Sequence, residues 1–247
     1  MIAGALLSSA VIYAGVSFEW HLAGAAGLSL ALLAWAAPRL YPHAAPTDED
    51  APPADTSAFR LPVRATWLLG AIGFCAMMSE ASIADWTTKY MLEVALAAEY
   101  VAPWSLAAFS VTMTTGRVVG DRLRDRYGDP ALLRAGAALA FAGMAVTLLY
   151  PTAWTTVLGS ASIGLGLSVA VPIVFSLSGQ IKGLSASAAL SMVTTISYLG
   201  LFLGPAVIGF LSEEFGLRAG YGFVLGVLAV LGGLVLRVGG RDAREAT

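Results

Sequence analysis

Charge is scarce in this sequence. Asp, Glu, Lys and Arg make up 12% of its 247 residues, about half the share of an ordinary soluble domain. So little charge cannot cover a solvated surface of normal size, and the expected solvent for most of the chain is lipid. Cysteine and histidine are nearly absent too. A lone Cys75 excludes an intramolecular disulfide and a cysteine metal cage. His21 and His43 have no ligand spacing around them, so neither a metal nor a cofactor is expected. The net charge of -2 lacks the dense basic footprint that nucleic-acid binding needs. There is no nucleotide loop, no nucleophile elbow and no cluster of catalytic polar residues at one depth, which argues against an enzyme. No Lys or Arg precedes the apolar start Met1 to Phe18. A secretory signal needs that basic region, so the segment reads as a transmembrane helix whose upstream context is missing.

Long apolar runs are abundant. A helix crossing the hydrocarbon core needs about 20 mostly apolar residues, and suitable segments lie near 2–18, 22–41, 63–86, 101–120, 131–150, 153–176, 185–211 and 217–238. Runs of this length are not barrel strands, which are about 10 residues and alternating. Helices also satisfy their own backbone in lipid. With residue 1 on the cytoplasmic side, Arg39, Arg60, Arg64, Arg117, Arg122, Arg124, Arg126, Arg134, Lys182, Arg237, Arg241 and Arg244 all fall at cytoplasmic ends. Only Lys89 and Arg218 fall outside. A division of 12 to 2 among the 14 basic residues fixes the expected orientation and places both termini in the cytoplasm. Tyr41 to Pro62 carries five of the 11 prolines and the run Asp48-Glu49-Asp50. That composition suits a flexible cytoplasmic linker. The expected organisation is residues 1–41 as two helices, 42–62 as linker, 63–238 as six helices, and 239–247 as a cytoplasmic tail.

Several motifs carry a resemblance. The stretch Gly116-Arg117-Val118-Val119-Gly120-Asp121-Arg122-Leu123-Arg124-Asp125-Arg126-Tyr127-Gly128 resembles the signature loop between the second and third helices of each bundle of the major facilitator superfamily. It departs in having Asp121 where a glycine is usual, and Asp129-Pro130 where a basic pair is usual. Gly204-Pro205 with Gly209, then Phe215-Gly216-Leu217-Arg218, resembles the family's penultimate helix and its outer turn. Ser79-Glu80-Ala81-Ser82-Ile83-Ala84-Asp85-Trp86 with Tyr90 is similar to the YbjJ-like bacterial branch, distant kin of fucose permeases. The resemblance implies an all-α integral membrane protein of the bacterial inner membrane. It would comprise a complete C-terminal six-helix bundle plus two helices of the N-terminal bundle, the family's helices five to twelve, without the first four. It implies a secondary transporter of a small polar solute working in the bilayer with protons as partner. Sugars are slightly favoured as solute, with drugs, amino acids and organic acids open. A non-transporting membrane partner or sensor, or an inactive fragment, is the alternative; self-association would be one explanation of the length.

Glu80 is the most informative single residue. It lies about 24 Å along its helix from Arg64, inside a hydrocarbon core about 30 Å thick. Gly70, Gly73, Met77, Glu80 and Ala84 share one small helical face. Glu80 is either the group that couples proton movement to solute binding or a hydrogen-bonded carboxyl that fixes packing. Asp85 has the same two readings, with an ion pair to Lys89 one turn on as the structural one. Trp86 and Tyr90 read as interfacial anchors. Ser187, Ser191, Thr194 and Tyr198 form a polar stripe, either interhelical glue or, as the resemblance implies, part of a cavity wall with Thr112 and Phe175. The resemblance also gives Gly120, Asp121, Arg122, Asp125, Arg126 and Gly128 a role in cytoplasmic gating, through Arg–Asp contacts; a purely topogenic role is compatible with it. Gly116-xxx-Gly120, Gly200-xxx-Gly204 and Gly222-xxx-Gly226 suit close helix contact.

Overall fold

A computed structural model describes residues 18–40, 64–181 and 183–238. The expected first span (2–18, except its last residue), the linker, the tail and Lys182 lie outside the described residues. The chain divides into two units, Met1–Arg60 and Leu61–Thr247. The first contains helix α1 (Phe18–Leu40), on which Trp20, Leu28, Leu30 and Leu33 are exposed. The second contains α2 (Arg64–Glu93), α3 (Pro103–Tyr127), α4 (Asp129–Leu149), α5 (Ala153–Leu167), α6 (Ala170–Ser178), α7 (Ala186–Phe215) and α8 (Leu217–Val235). Among the described residues every regular element is a helix. Five stretches are long and apolar enough to cross a membrane: α2, α4, Ala153–Ser178, α7 and α8.

Local chemistry sets the boundaries. Gly128 and Gly216, at φ 77° and 82°, take the left-handed conformation that separates α3 from α4 and α7 from α8. The hydroxyl of Thr152 caps α5 by accepting from the Thr155 amide, and Ser185 caps α7 through the Ala188 amide. Residues 153–176, expected as one span, are two helices interrupted at Ser168–Val169. Pro172 has no N–H to offer the Ser168 carbonyl, which removes the helical bond that would have joined them.

The stretch expected as a cytoplasmic loop is the second correction. α3 remains helical through Tyr127, and only Gly128 forms the turn. Arg and Leu are good helix formers, and Arg124 and Arg126 in the last turn favour the negative end of the helix dipole. A charged helical overhang is therefore stable in water without being apolar.

Lipid gives helices no hydrophobic reason to associate, so close packing must hold them. α2 and α7 share the most extensive interface. Gly200 and Gly204 of α7 lie against the carbonyls of Phe74 and Met78, while Gly70 and Gly73 of α2 lie against Ile196 and Ser197. Gly116 meets Ser168 and Gly120 meets Val169 across the α3–α5/α6 seam. Gly222 and Gly226 have no atom near the position a side chain would take, so that third pair makes no close contact among the described residues. Ile72, Ile83, Met144, Ile163, Ile173 and Leu228 are fully buried. The outside carries Phe202, Phe210, Leu158 and Leu203, with Trp67, Trp104 and Trp154 exposed near helix starts. So much exposed apolar surface would mark an interaction site in water; against lipid, with indoles near the ends of spans, it is expected.

Candidate functional site

α2 and α3 are antiparallel neighbours joined by a short turn, and this hairpin decides which residues share a depth. Glu80 lies thirteen residues before Glu93, the end of α2, and Arg117 lies fourteen after Pro103, the start of α3. The two meet. Arg117 donates from Nη2 to Glu80 Oε1 at 2.9 Å, with 24% of the Glu80 side chain and 47% of the Arg117 side chain exposed. At about 1.5 Å per residue each is roughly 20 Å from the turn, midway along its helix. Arg117 is thus not at the cytoplasmic end of its span, where the count of basic residues put it. The partner of Glu80 is an arginine rather than a serine, although Ser79 and Ser82 flank it with buried hydroxyls lacking a partner.

No other charged residue of the second unit lies at this level. α2 has none between Arg64 and Glu80, and the next is Asp85. α3 has none between Pro103 and Arg117, and α5, α6 and the first 27 residues of α7 have none. Arg134 and Arg218 lie near the starts of α4 and α8, where Arg134 binds the Val238 carbonyl and Arg218 the Leu148 carbonyl, each at 2.9 Å.

Asp85 behaves differently from its expected structural reading. It is exposed, and Lys89 pairs with Glu93 at 3.6 Å instead, while lying 5.1 Å from the centre of the Trp86 ring. Tyr90 and Trp86 do not read as simple interfacial anchors. Tyr90 is fully buried, stacked on Tyr221 at 4.0 Å, and its hydroxyl donates to the Thr147 carbonyl at 3.3 Å. Trp86 is half-buried against the core and near Gly209.

The polar stripe of α7 is split. Ser187, Ser191 and Tyr198 are exposed, the last by 43%, whereas Thr194 is half-buried. Thr112 sits in the α3–α5 seam beside Gly164 and donates to the Ala108 and Phe109 carbonyls at 2.9 and 3.1 Å. Phe175 is half-buried against the core. At the cytoplasmic overhang Gly120 is buried, and Asp121, Arg122, Asp125 and Arg126 are exposed. Arg124 makes the ion pair there, gripping Asp129 with two bonds of 2.7 and 3.1 Å. Those bonds raise its pKa above the ordinary guanidinium value. Asp121, Arg124, Asp125, Gly128 and Asp129 line a recess of about 490 Å³. Among the described residues, no group of His, Cys, Asp and Glu is placed to hold a metal ion.

Comparison with known proteins decides the family. The model of the Major Facilitator Superfamily matches residues 1–184 and 102–246. The chain belongs to the major facilitator superfamily. Membrane protein MosC of Rhizobium meliloti is 32% identical over 160 residues, covering 65% of this chain and 39% of that protein. An uncharacterised MFS-type transporter of Yersinia pestis is 28% identical over 172 residues, covering 70% and 45%. The chain therefore spans less than half the length of these relatives. Among solved structures, a peptide transporter in complex with alafosfalin matches with a TM-score of 0.62 and 20% identity, over 69% of this chain and 37% of that one. The transporter PepTSo matches with a TM-score of 0.59 and 18% identity, over 72% and 37%. At these identities the likeness is one of fold. The superfamily is one of membrane transporters, and its members carry small solutes across in multi-pass helical bundles.

Proposed function

We propose that the chain works in proton-coupled secondary transport of a small polar solute, with Glu80 as the group that takes up the proton. The supporting observation is the Glu80–Arg117 ion pair at 2.9 Å, midway along two helices otherwise free of charge at that level. Ionisable groups at membrane depth are costly and face a cavity or a partner. This pair has a partner and remains accessible, as a group that must exchange protons requires. Asp85, exposed near the far end of α2, is a second proton-handling candidate.

On this reading α1 is the family's helix six and α2 to α8 are helices seven to twelve, with the broken α5–α6 as one span. Residues 42–62 are the linker between bundles, and both termini are cytoplasmic in a bacterial inner membrane. Ser191, Thr194 and Tyr198, with Thr112 and Phe175, border the solute path. Gly120, Asp121, Arg122, Asp125, Arg126 and Gly128 belong to the cytoplasmic gate. The sequence around Glu80 supports a place in the YbjJ-like branch. A second reading, a membrane partner or self-associating fragment that carries nothing alone, is supported by the fraction of its relatives' length that the chain spans.

Glu80→Gln separates coupling from packing. Solute exchange between the two sides of a vesicle should persist, while accumulation driven by a pH gradient should vanish. Unchanged accumulation would reduce Glu80 to a packing residue.

A further inference from the structure

The ion pair between α2 and α3 also constrains the chemistry of the solute. Resting on the transport reading above, we infer that the solute carries a carboxylate, that Arg117 binds it, and that Glu80 is protonated as the carboxylate takes its place. The argument is an asymmetry between the partners. Glutamate can shed its charge by taking a proton, whereas arginine keeps its charge at any pH a protein meets. Opening the pair for a neutral solute leaves Arg117 uncompensated at membrane depth. Opening it for a cation seated on Glu80 does the same. An anion on Arg117, with a proton on Glu80, leaves no uncompensated charge. It is the one exchange that does not carry the penalty for an orphaned ion.

The geometry agrees. Arg117 is the more exposed partner, and a single bond from Nη2 holds it to Glu80. Its remaining N–H groups can form the two parallel bonds that guanidinium makes with carboxylate. On the same helix, Thr112, Thr114 and Thr115 donate to the carbonyls of Ala108, Ser110 and Val111. Their hydroxyl protons are already committed, so Arg117 is the donor that α3 can offer a solute. Neighbouring elements supply no competing charge: α5, α6 and the adjoining part of α7 have none, and Arg134, Arg218, Asp85, Lys89 and Glu93 lie nearer helix ends. The exchange balances. One anion and one proton enter the site, the Glu80–Arg117 contact is broken, and the net charge of the site is unchanged. Transport by this route is electroneutral.

The test uses the full chain in vesicles of phosphatidylethanolamine and phosphatidylglycerol, with two matched probe pairs: glucuronate with glucose, and lactate with glycerol. Binding is read as thermal stabilisation, and proton uptake with an indicator in weakly buffered medium. A carboxylate member should bind with uptake of about one proton, and its neutral counterpart should do neither. Arg117→Gln should weaken carboxylate binding at least about tenfold, with partial recovery in Arg117→Lys. Glu80→Gln, which frees Arg117, should bind the carboxylate about tenfold more tightly without proton uptake. Proton-linked binding of a neutral member that survives Arg117→Gln overturns this inference and leaves the transport reading standing. Carboxylate binding without a proton, or no binding of either carboxylate by folded protein, also overturns it. The transport reading is judged separately by flux.

Discussion

Replacing Gly204 by alanine places a methyl group 2.6 Å from the Met78 carbonyl oxygen and 2.8 Å from Ser82 Oγ. An ordinary contact begins near 3.4 Å, so α7 must retreat from α2 by about 0.8 Å or distort locally. A gap of that size forfeits a quarter to a half of each contact's attraction, and overpacking of this kind costs about 1–3 kcal/mol. Alanine's better helix propensity offsets up to about 1 kcal/mol. The net expectation is a loss of about 1 kcal/mol, or a melting temperature lower by roughly 3 °C. Gly222→Ala is the internal control. No atom lies within 4 Å of its added methyl, so only the propensity gain remains and stability should rise slightly. The assay is thermal unfolding of the purified chain in detergent, followed by tryptophan fluorescence. If Gly204→Ala melts at or above the parent, or if Gly222→Ala is the more damaging, the α2–α7 packing described above is wrong.

Three further outcomes follow from other contacts. In a double-mutant cycle, Glu80→Gln and Arg117→Gln should each destabilise, and the double variant should regain about 1 kcal/mol relative to their sum; additive losses would mean the pair is not formed. Arg124→Gln should cost about 1 kcal/mol, the contribution of a partly exposed bidentate pair, seen in the same melts and reduced by added salt. Because the pKa of Arg124 is raised, its contribution is complete below the ordinary arginine value and lost only above it. The gap between parent and Arg124→Gln should therefore stay constant from about pH 7 to about pH 11; a gap that closes in that window refutes the assignment. Cys75, the one cysteine, is 7% exposed inside α2 and should resist a water-soluble maleimide until the chain unfolds, as mass spectrometry would show.

The helical membrane body was legible because its signals are local: long apolar runs, capping hydroxyls, and the motifs from Gly116 to Gly128 and around Glu80. Contacts between helices were less so. Basic residues counted at span ends placed Arg117 in the cytoplasm, because the apolar run stops near it while the helix continues for ten more residues to Tyr127. A signal was present, since residues equidistant from a hairpin turn share a depth, and Glu80 and Arg117 are nearly equidistant from the turn between Glu93 and Pro103. The Asp85–Lys89 spacing suited an ion pair, but Glu93 lies equally close to Lys89 in sequence and receives it instead. Tyr90 looked interfacial because sequence depth does not say which face of α2 meets Tyr221. Of the two seams with small-residue pairs at close range, both were marked by spacing, yet Gly222 and Gly226 have the same spacing and touch nothing. Spacing shows that an approach is sterically open, and the neighbouring helix decides whether it occurs.

The central claim is that the chain couples solute movement to protons through Glu80, and solute-dependent proton flux tests it most directly. The purified chain would be sealed into vesicles with an imposed pH gradient and an interior pH indicator, then offered solutes one at a time. The account predicts that at least one small polar solute accelerates proton entry, and that Glu80→Gln abolishes the acceleration. Solute entry that leaves the proton gradient untouched, or flux unchanged in Glu80→Gln, would contradict it.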